Sequence, residues 1–435
     1  MRISRPLTDS RVRLDEINLT DVELYTKGDA HLVWQTLRAE RPIFWQVRPD
    51  GEGFWAVTRQ AEVRRVLSDY ATFTSEKGTA ISMLDAPDPA AGRMMHSTDP
   101  PKHRQFRRQI GVPFSSHALA AVSENISRSV TAAMSRATND QIWDSAESLA
   151  RLPMAVAGAM MALPDKDIDE LMRLAYASLA PDDPRFIAGK GKATAAVAHT
   201  YIINYFAACV AGRRQRASTD LISHLLTVRI DGRALTDEEI LLNLLSLLLG
   251  AVVTTSQAVN ATLIALAEQN GGEGHWPSVM PVRTAVEEAL RWSSPVTHFM
   301  RRARQDIELL GEKIRAGDAV TAWIASANRD EAVFDQPYRL DFNRSPNRHV
   351  AFGHGSHRCL GNNVARLMIQ EVFEQLVTRI DSFEIAQPPR HLASVEIAGV
   401  VSLPLRVKLR GSARSARAAR GWRRVTSRLD LSRGW

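Results

Sequence analysis

The sequence predicts a mainly α protein with small β sheets, an α+β fold built as one large domain. Three observations carry that expectation. Between about residues 100 and 270, Ala, Leu, Arg and Glu recur at helical spacing. Within this stretch an apolar run continues from Ile240 to about residue 267, and a helix apolar around most of its circumference must pass through the protein centre. Aromatic and β-branched runs with the composition of strands stand on either side, at 44–59 and from 306 onward. A length of 435 residues fits several ordinary domains or one large one, and no repeat or low-complexity block divides the chain before residue 410.

Taken in order, FWQVRP (44–49) and GFWAVTR (53–59) read as a hairpin around Pro49-Asp50-Gly51. Residues 75–97 are rich in Gly, Pro and small polar residues and read as loop. Thr236 and Glu239 have the spacing of a capping box, so the central helix starts there and is expected to run unbroken to about 267. Gly250 inside it costs ~1 kcal/mol against Ala. With Ala251 beside it and Thr254 and Thr255 following, it leaves room, and a hydroxyl, for something bound against the helix. The breaker GGEGHWP (271–277) precedes a helix at 282–292, which ends before Pro295. Strands are expected at 306–310, 313–317 and 319–325, followed by an irregular stretch, 326–358. A helix resumes after Cys359, and strand-like runs at 383–386 and 400–409 close the body.

Composition narrows the function classes. Hydrophobic residues are 45% and charged residues 24%, which excludes a disordered chain, a collagen and a coiled coil. The net charge of +7 would suggest nucleic acid, but residues 410–435 hold eight Arg against one Asp and account for all of it. Residues 1–409 therefore sum to zero, and the chain divides into a body, 1–410, and a basic tail, 411–435, expected to be a solvated, disordered extension; its alternative role is weak attachment to an acidic partner, nucleic acid or membrane surface. No nucleic-acid partner is expected. Two cysteines, Cys209 and Cys359, cannot make a disulfide scaffold or a four-cysteine metal site. Cys209, in an Ala-rich helical run, reads as an inert buried thiol. The N-terminus lacks the apolar region of a secretory signal. The run Ile240–Val253 falls short of the ~18–20 residues of a membrane span. A cytoplasmic protein with no membrane span is expected.

The most informative segment is Phe352-Gly-His-Gly-Ser-His-Arg-Cys-Leu-Gly361. Its glycines allow a tight loop that can lie against a flat ligand. The loop delivers Cys359 to the start of a helix, where backbone N–H groups and the dipole favour a thiolate, and His357 and Arg358 add positive charge. Such a cysteine could be a nucleophile, a redox sensor or a metal ligand.

The pattern Phe352-Gly353-x-Gly355-x-His357-x-Cys359-x-Gly361 resembles the haem-binding loop of the cytochrome P450 family at every fixed position. Further elements resemble that family in the same order. His103 and Arg107, in DPPKHRQFRR, are similar to the helix that holds the haem propionates, and Arg301 to the third propionate partner. Glu288 and Arg291, on one helix face, resemble the family's paired residues and would form an ion pair with Arg344. Gly250 to Thr255 occupy the place of the oxygen-binding groove. The resemblance covers roughly residues 15–410. It implies the cytochrome P450 fold with one buried haem b (iron protoporphyrin IX), held by the Cys359 thiolate, with Phe352, His357 and Gly361 in the cofactor loop. It also implies a monooxygenase of the soluble bacterial type, acting on a small-molecule substrate with electrons from separate proteins, a ferredoxin and a ferredoxin reductase. The docking face would lie around Cys359, with Arg348, Arg358 and Arg366 meeting an acidic partner.

One departure from the family pattern concerns the central helix. The usual Ala-Gly-x-Asp/Glu-Thr reads here Gly250-Ala251-Val252-Val253-Thr254, so Thr254 remains but the relay carboxylate does not. Ordered water or a substrate group could complete the relay. Alternatively the chemistry is oxidative C–C or C–N coupling, nitration or nitric oxide reduction. A haem-binding protein without catalysis is the rival from another class, and a substrate tethered to a carrier protein is a further reading with no positive sign in the sequence. By position, Met83, Asn243, Leu247, Ala251, Thr254, Val296, His298 and Val400 resemble the family's substrate-contacting residues, with Asn243, His298 and His96 as polar anchors in a mostly apolar pocket.

Overall fold

A computed structural model of the chain describes residues 6–411, apart from 9, 49–50, 140, 188–190, 217 and 278–279. The basic tail beyond 411 and two of the three hairpin-turn residues, Pro49 and Asp50, lie outside the described residues.

The hairpin forms as the aromatic alternation requires. Ile43–Gln46 pairs antiparallel with Phe54–Val57, with Trp45 opposite Trp55 and their rings 5.1 Å apart. This pair is one edge of a five-stranded mixed sheet that continues through Ala319–Ala322, Phe299–Ala303 and Phe73–Thr74. A second, antiparallel sheet runs Ile142–Asp144, Pro404–Leu409, Ile380–Ile385, Glu273–His275. Ile307–Leu309 and Glu312–Ile314 make a separate two-stranded ribbon. The run expected as strand to residue 325 stops at Ala322, and Ile324–Ala327 turns into helix. This turn sets Asn328 to donate to Ser294 Oγ at 2.8 Å and accept from Val350 N–H at 2.8 Å, ties a continuing strand would not reach.

Helices fill the rest. The helix Thr254–Gln269 packs against Val282–Ser293, Asn362–Arg379 and Ser145–Met160, and these share the largest apolar cluster with Ser116–Met134. A second cluster gathers Asp237–Val252, Ile168–Leu179 and Gly191–Gln215. The segment 75–97 is irregular apart from two short 3-10 turns.

The central helix starts as expected. Thr236 Oγ1 accepts from Glu239 N–H at 3.2 Å, Glu239 accepts from Thr236 N–H at 2.9 Å, and Arg233 holds the same carboxylate through two bonds of 2.7 Å. It is not unbroken. Asp237–Val252 and Thr254–Gln269 are separate helices joined at Val253, with φ −102° and ψ −31°. The physical reason is local: Gly250 is followed closely by four β-branched residues, Val252 to Thr255, the weakest helix formers in the run. The apolar stretch also reaches further than its first fourteen residues suggest. Among the described residues, Gly191–Gln215 and Asp237–Gln269 are both long and apolar enough to cross a membrane by composition, and the second has 56% of its apolar window buried inside the protein.

Candidate active site

The cysteine loop is held by backbone geometry that only glycine adopts cheaply. Gly353 and Gly355 have φ of +71° and +73°, and a Cβ on Gly355 would stand 2.7 Å from Ser68 Cα. Cys359 N–H donates to the Phe352 carbonyl at 2.8 Å, closing the loop. The helix begins at Asn362 with Gly361 as its N-cap, so Cys359 precedes the first turn instead of lying in it. The Gly361 N–H still reaches the sulfur and, with Arg107, Arg366 and Arg358, favours the thiolate; burial is the larger influence and pushes the thiol up. Cys359 nevertheless keeps surface open to water. Cys209 is half-buried, its thiol pushed up by burial.

Around this loop the fold gathers basic side chains, two arginines and three histidines. His103 and Arg301 are buried, and the His103 and His357 rings lie 4.1 Å apart. Arg301 donates to the Met300 carbonyl at 2.8 Å, and Arg107 to the Arg358 carbonyl. Burial and the neighbouring arginines push His103 down to about 4 and His357 to about 2, and burial takes Arg301 to about 10. His96 joins them. Its Nδ1 lies 2.9 Å from Ser246 Oγ, and burial with Arg301 lowers it to about 4. Asp99 is taken up by Thr74 Oγ1 at 2.5 Å, Ser75 N–H at 3.0 Å and Arg304. Two arginines beside imidazoles that burial keeps neutral, all carrying N–H donors, fit a dianionic ligand. A cysteine disfavoured as a free thiolate fits a metal, which deprotonates its ligand.

On the central helix, Gly250 is exposed, and Leu247, Ala251 and Thr254 are half-exposed, although the helix runs through the interior. A Cβ on Gly250 would meet nothing within 4 Å. Met83 and Val296 are both half-buried. Val253 points the other way and is 0% exposed in the second core cluster.

Three residues expected to line the pocket are buried in the structure. Asn243 is buried and spent on structure: Oδ1 accepts from Met95 N–H at 2.9 Å, and Nδ2 donates to the carbonyls of Glu239 and Arg93 at 2.7 and 3.2 Å. It anchors the 90s loop, and both of its N–H donors are already used. His298 is buried with its ring 4.6 Å from Trp323 and Nδ1 on Thr297 Oγ1, in the core instead of the opening. Val400 is buried in the main core, while strand alternation leaves Val401 half-exposed.

Glu288 and Arg291, both 0% exposed, bond through two contacts of 2.7 Å, and Arg344 Nε reaches the same carboxylate at 3.2 Å. Arg366, expected on the docking face, is buried and bonded to Glu287. The helical face that carries it turns inward, toward the helix of Glu287. Arg348 and Arg358 are exposed. Sequence reading missed Ser246, Gln257 and Glu287; only the adjacency of Glu287 to Glu288 hinted at the last.

The chain is 32% identical over 411 residues to cytochrome P450 NovI of Streptomyces niveus, covering 93% of this chain and 99% of that one. The chain belongs to the cytochrome P450 family. A family model, Cytochrome P450, matches residues 278–409, which hold the Glu288 helix and the cysteine loop. Linalool 8-monooxygenase of Pseudomonas putida is 30% identical over 404 residues, covering 90% of this chain and 98% of that one. The crystal structure of P450 OxyD, involved in the biosynthesis of vancomycin-type antibiotics, superposes with a TM-score of 0.79 at 31% identity, covering 91% of this chain and all of that one. This P450 is therefore an oxidoreductase of the monooxygenase class, with haem and a cysteine thiolate as its cofactor chemistry.

Proposed function

We propose that Cys359 supplies the thiolate to the haem iron, that His103, Arg107, Arg301 and His357 receive the propionates, and that this P450 oxygenates a small, largely apolar organic substrate. When bound, the haem supplies dioxygen activation, which a thiolate ligand favours more than an imidazole does. The protein's part is binding and orientation. Gly250 and Ala251 leave the central helix open, Thr254 presents a hydroxyl at the interruption to hold a proton donor, and Met83, Leu247 and Val296 offer apolar walls. The observation that supports this reading best is the gathering of His103, His357, Arg107 and Arg301 beside Cys359, with Asp99 already occupied. Val253, buried where the family usually places an acid, favours a second reading, in which the reaction is oxidative coupling, nitration or nitric oxide reduction. Electrons come from a ferredoxin and its reductase at a face carrying Arg348 and Arg358, in the cytoplasm, and residues 1–410 form the catalytic domain.

The test is spectroscopic. The reduced carbon monoxide complex is expected to absorb at the thiolate-ligated position, and Cys359→His to move that band and abolish turnover. A band unchanged by the substitution would overturn the assignment. A screen for compounds that shift the haem spin state then identifies the substrate class, and substrate-dependent electron consumption with a product excludes a purely binding role.

A further inference from the structure

Behind the cysteine loop lies a second ion-pair network, separate from the Glu288 one, in which Arg366 is buried and Glu287 half-buried. Glu287 and Glu288 adjoin on the helix Val282–Ser293 but serve different partners. Glu287 accepts from Arg366 through Nε at 2.6 Å and Nη2 at 2.9 Å. His349 Nε2 lies 3.0 Å from the same carboxylate. Its Nδ1 accepts from Ala351 N–H at 3.2 Å, which leaves the ring proton on Nε2 to face Glu287.

Arg366 reaches the cysteine from both sides. Its Nη1 donates to Asn362 Oδ1 at 2.8 Å, and Asn362 Nδ2 donates to the Cys359 carbonyl at 2.8 Å. Its guanidinium lies over the Phe352 ring, 4.6 Å from the centroid. Phe352 in turn accepts the Cys359 N–H. A single buried cation therefore touches the residue that opens the loop and the residue that follows it, and the two-bond carboxylate contact fixes that cation rigidly.

We propose that the Glu287–Arg366 pair is a positioning device for Cys359, clamping its loop so that the sulfur keeps one place and a compensated charge stands behind it. This rests on the reading of Cys359 as the iron ligand. The loop needs such a clamp because its glycines give it little intrinsic stiffness, and groups behind a metal ligand typically change metal affinity or activity ~10–100-fold when lost. Removing one partner of a buried pair also strands the other charge.

The experiment uses the full-length haem-loaded protein. The lifetime of the thiolate band in the reduced carbon monoxide complex is followed at fixed pH, together with the midpoint reduction potential. Arg366→Met, Arg366→Lys and Glu287→Gln are each expected to lose the band ~10-fold faster than the unaltered protein. Arg366→Lys keeps the charge but loses the fork, so failure to rescue marks geometry as the requirement. Arg366→Met leaves a carboxylate behind the sulfur and lowers the potential; Glu287→Gln leaves a guanidinium and raises it. General loosening of the fold would not give opposite signs. Asn362→Ala removes the bonds of Asn362 to the Cys359 carbonyl and to Arg366 Nη1 but leaves the Glu287–Arg366 contact in place, and it keeps the test open if the variants of that pair do not fold; it too is expected to shorten the band lifetime. Unchanged lifetimes and potentials in Arg366→Met, or an unchanged lifetime in Asn362→Ala, overturn the proposal. Absence of a thiolate band in the unaltered protein would instead overturn the reading of Cys359, and the proposal with it.

Discussion

Gln257 and Val400 exchange two hydrogen bonds, Val400 N–H to Gln257 Oε1 at 2.7 Å and Gln257 Nε2 to the Val400 carbonyl at 3.3 Å. The contact ties the strand Val400–Ser402 to the central helix one turn beyond its interruption, and both residues are buried. Gln257→Leu would leave a buried N–H and a buried carbonyl without partners, at a cost of ~1–3 kcal/mol each. The expected result is a lower thermal unfolding temperature with haem content retained. Gln257→Glu should be worse, because it repels the carbonyl. An unchanged unfolding temperature in Gln257→Leu would show that the strand is held by packing alone.

The site at Val253 and Thr254 separates two chemistries. Val253 is buried among apolar side chains, so Val253→Asp would not restore a proton relay at the opening. It would bury an unpaired carboxyl and destabilise the protein by at least ~2 kcal/mol, measured as denaturant midpoint. Thr254→Ala, on the accessible side, is expected to consume electrons and release peroxide without product, since positioned proton donors are worth ~10²–10⁴-fold. Product formed per electron consumed decides the matter: strong loss supports monooxygenation, and no loss supports coupling, nitration or nitric oxide reduction.

Acid should weaken the clamp behind Cys359. Burial opposes ionisation of Glu287, but bonds from Arg366 and His349 prevail and hold its carboxyl at about 2. A carboxyl whose pKa is lower in the folded than in the unfolded chain stabilises the fold above its unfolded value. That contribution is lost as pH falls from about 5 toward 2, and is on the order of 3 kcal/mol here. Denaturant midpoints between pH 7 and pH 3 are expected to fall more steeply in the unaltered protein than in Glu287→Gln. Glu239 and Asp85, both also held near 2, act with the same sign in both proteins and drop out of the comparison.

Electron delivery should depend on exposed charge near the cysteine loop. Arg358→Glu is expected to slow reduction by an acidic ferredoxin about tenfold at low ionic strength and to flatten its salt dependence. Stopped-flow reduction across a salt series checks this. Insensitivity of the unaltered protein to salt would remove the docking face at Arg348 and Arg358.

Much of the architecture is legible in local sequence because local physics decides it. The capping box at Thr236 and Glu239 and the Trp45–Trp55 hairpin are set by neighbouring residues and side-chain periodicity. The glycine pattern around Cys359 fixes a backbone that few other sequences adopt. Each needs only contacts close along the chain. What the tertiary structure alone decides is which way each polar side chain faces and what it meets. Asn243 and His298 have the right position for a pocket, yet one is consumed by the 90s loop and the other by Trp323. Arg366 sits on a helix whose outer face could have been solvent, and packing against the helix of Glu287 turns it inward. Val253 and Thr254 adjoin in sequence, but the interruption between their helices sends one to the core and the other to the opening. Burial and hydrogen-bond saturation are sums over partners that lie far along the chain as often as near, and no periodicity encodes them.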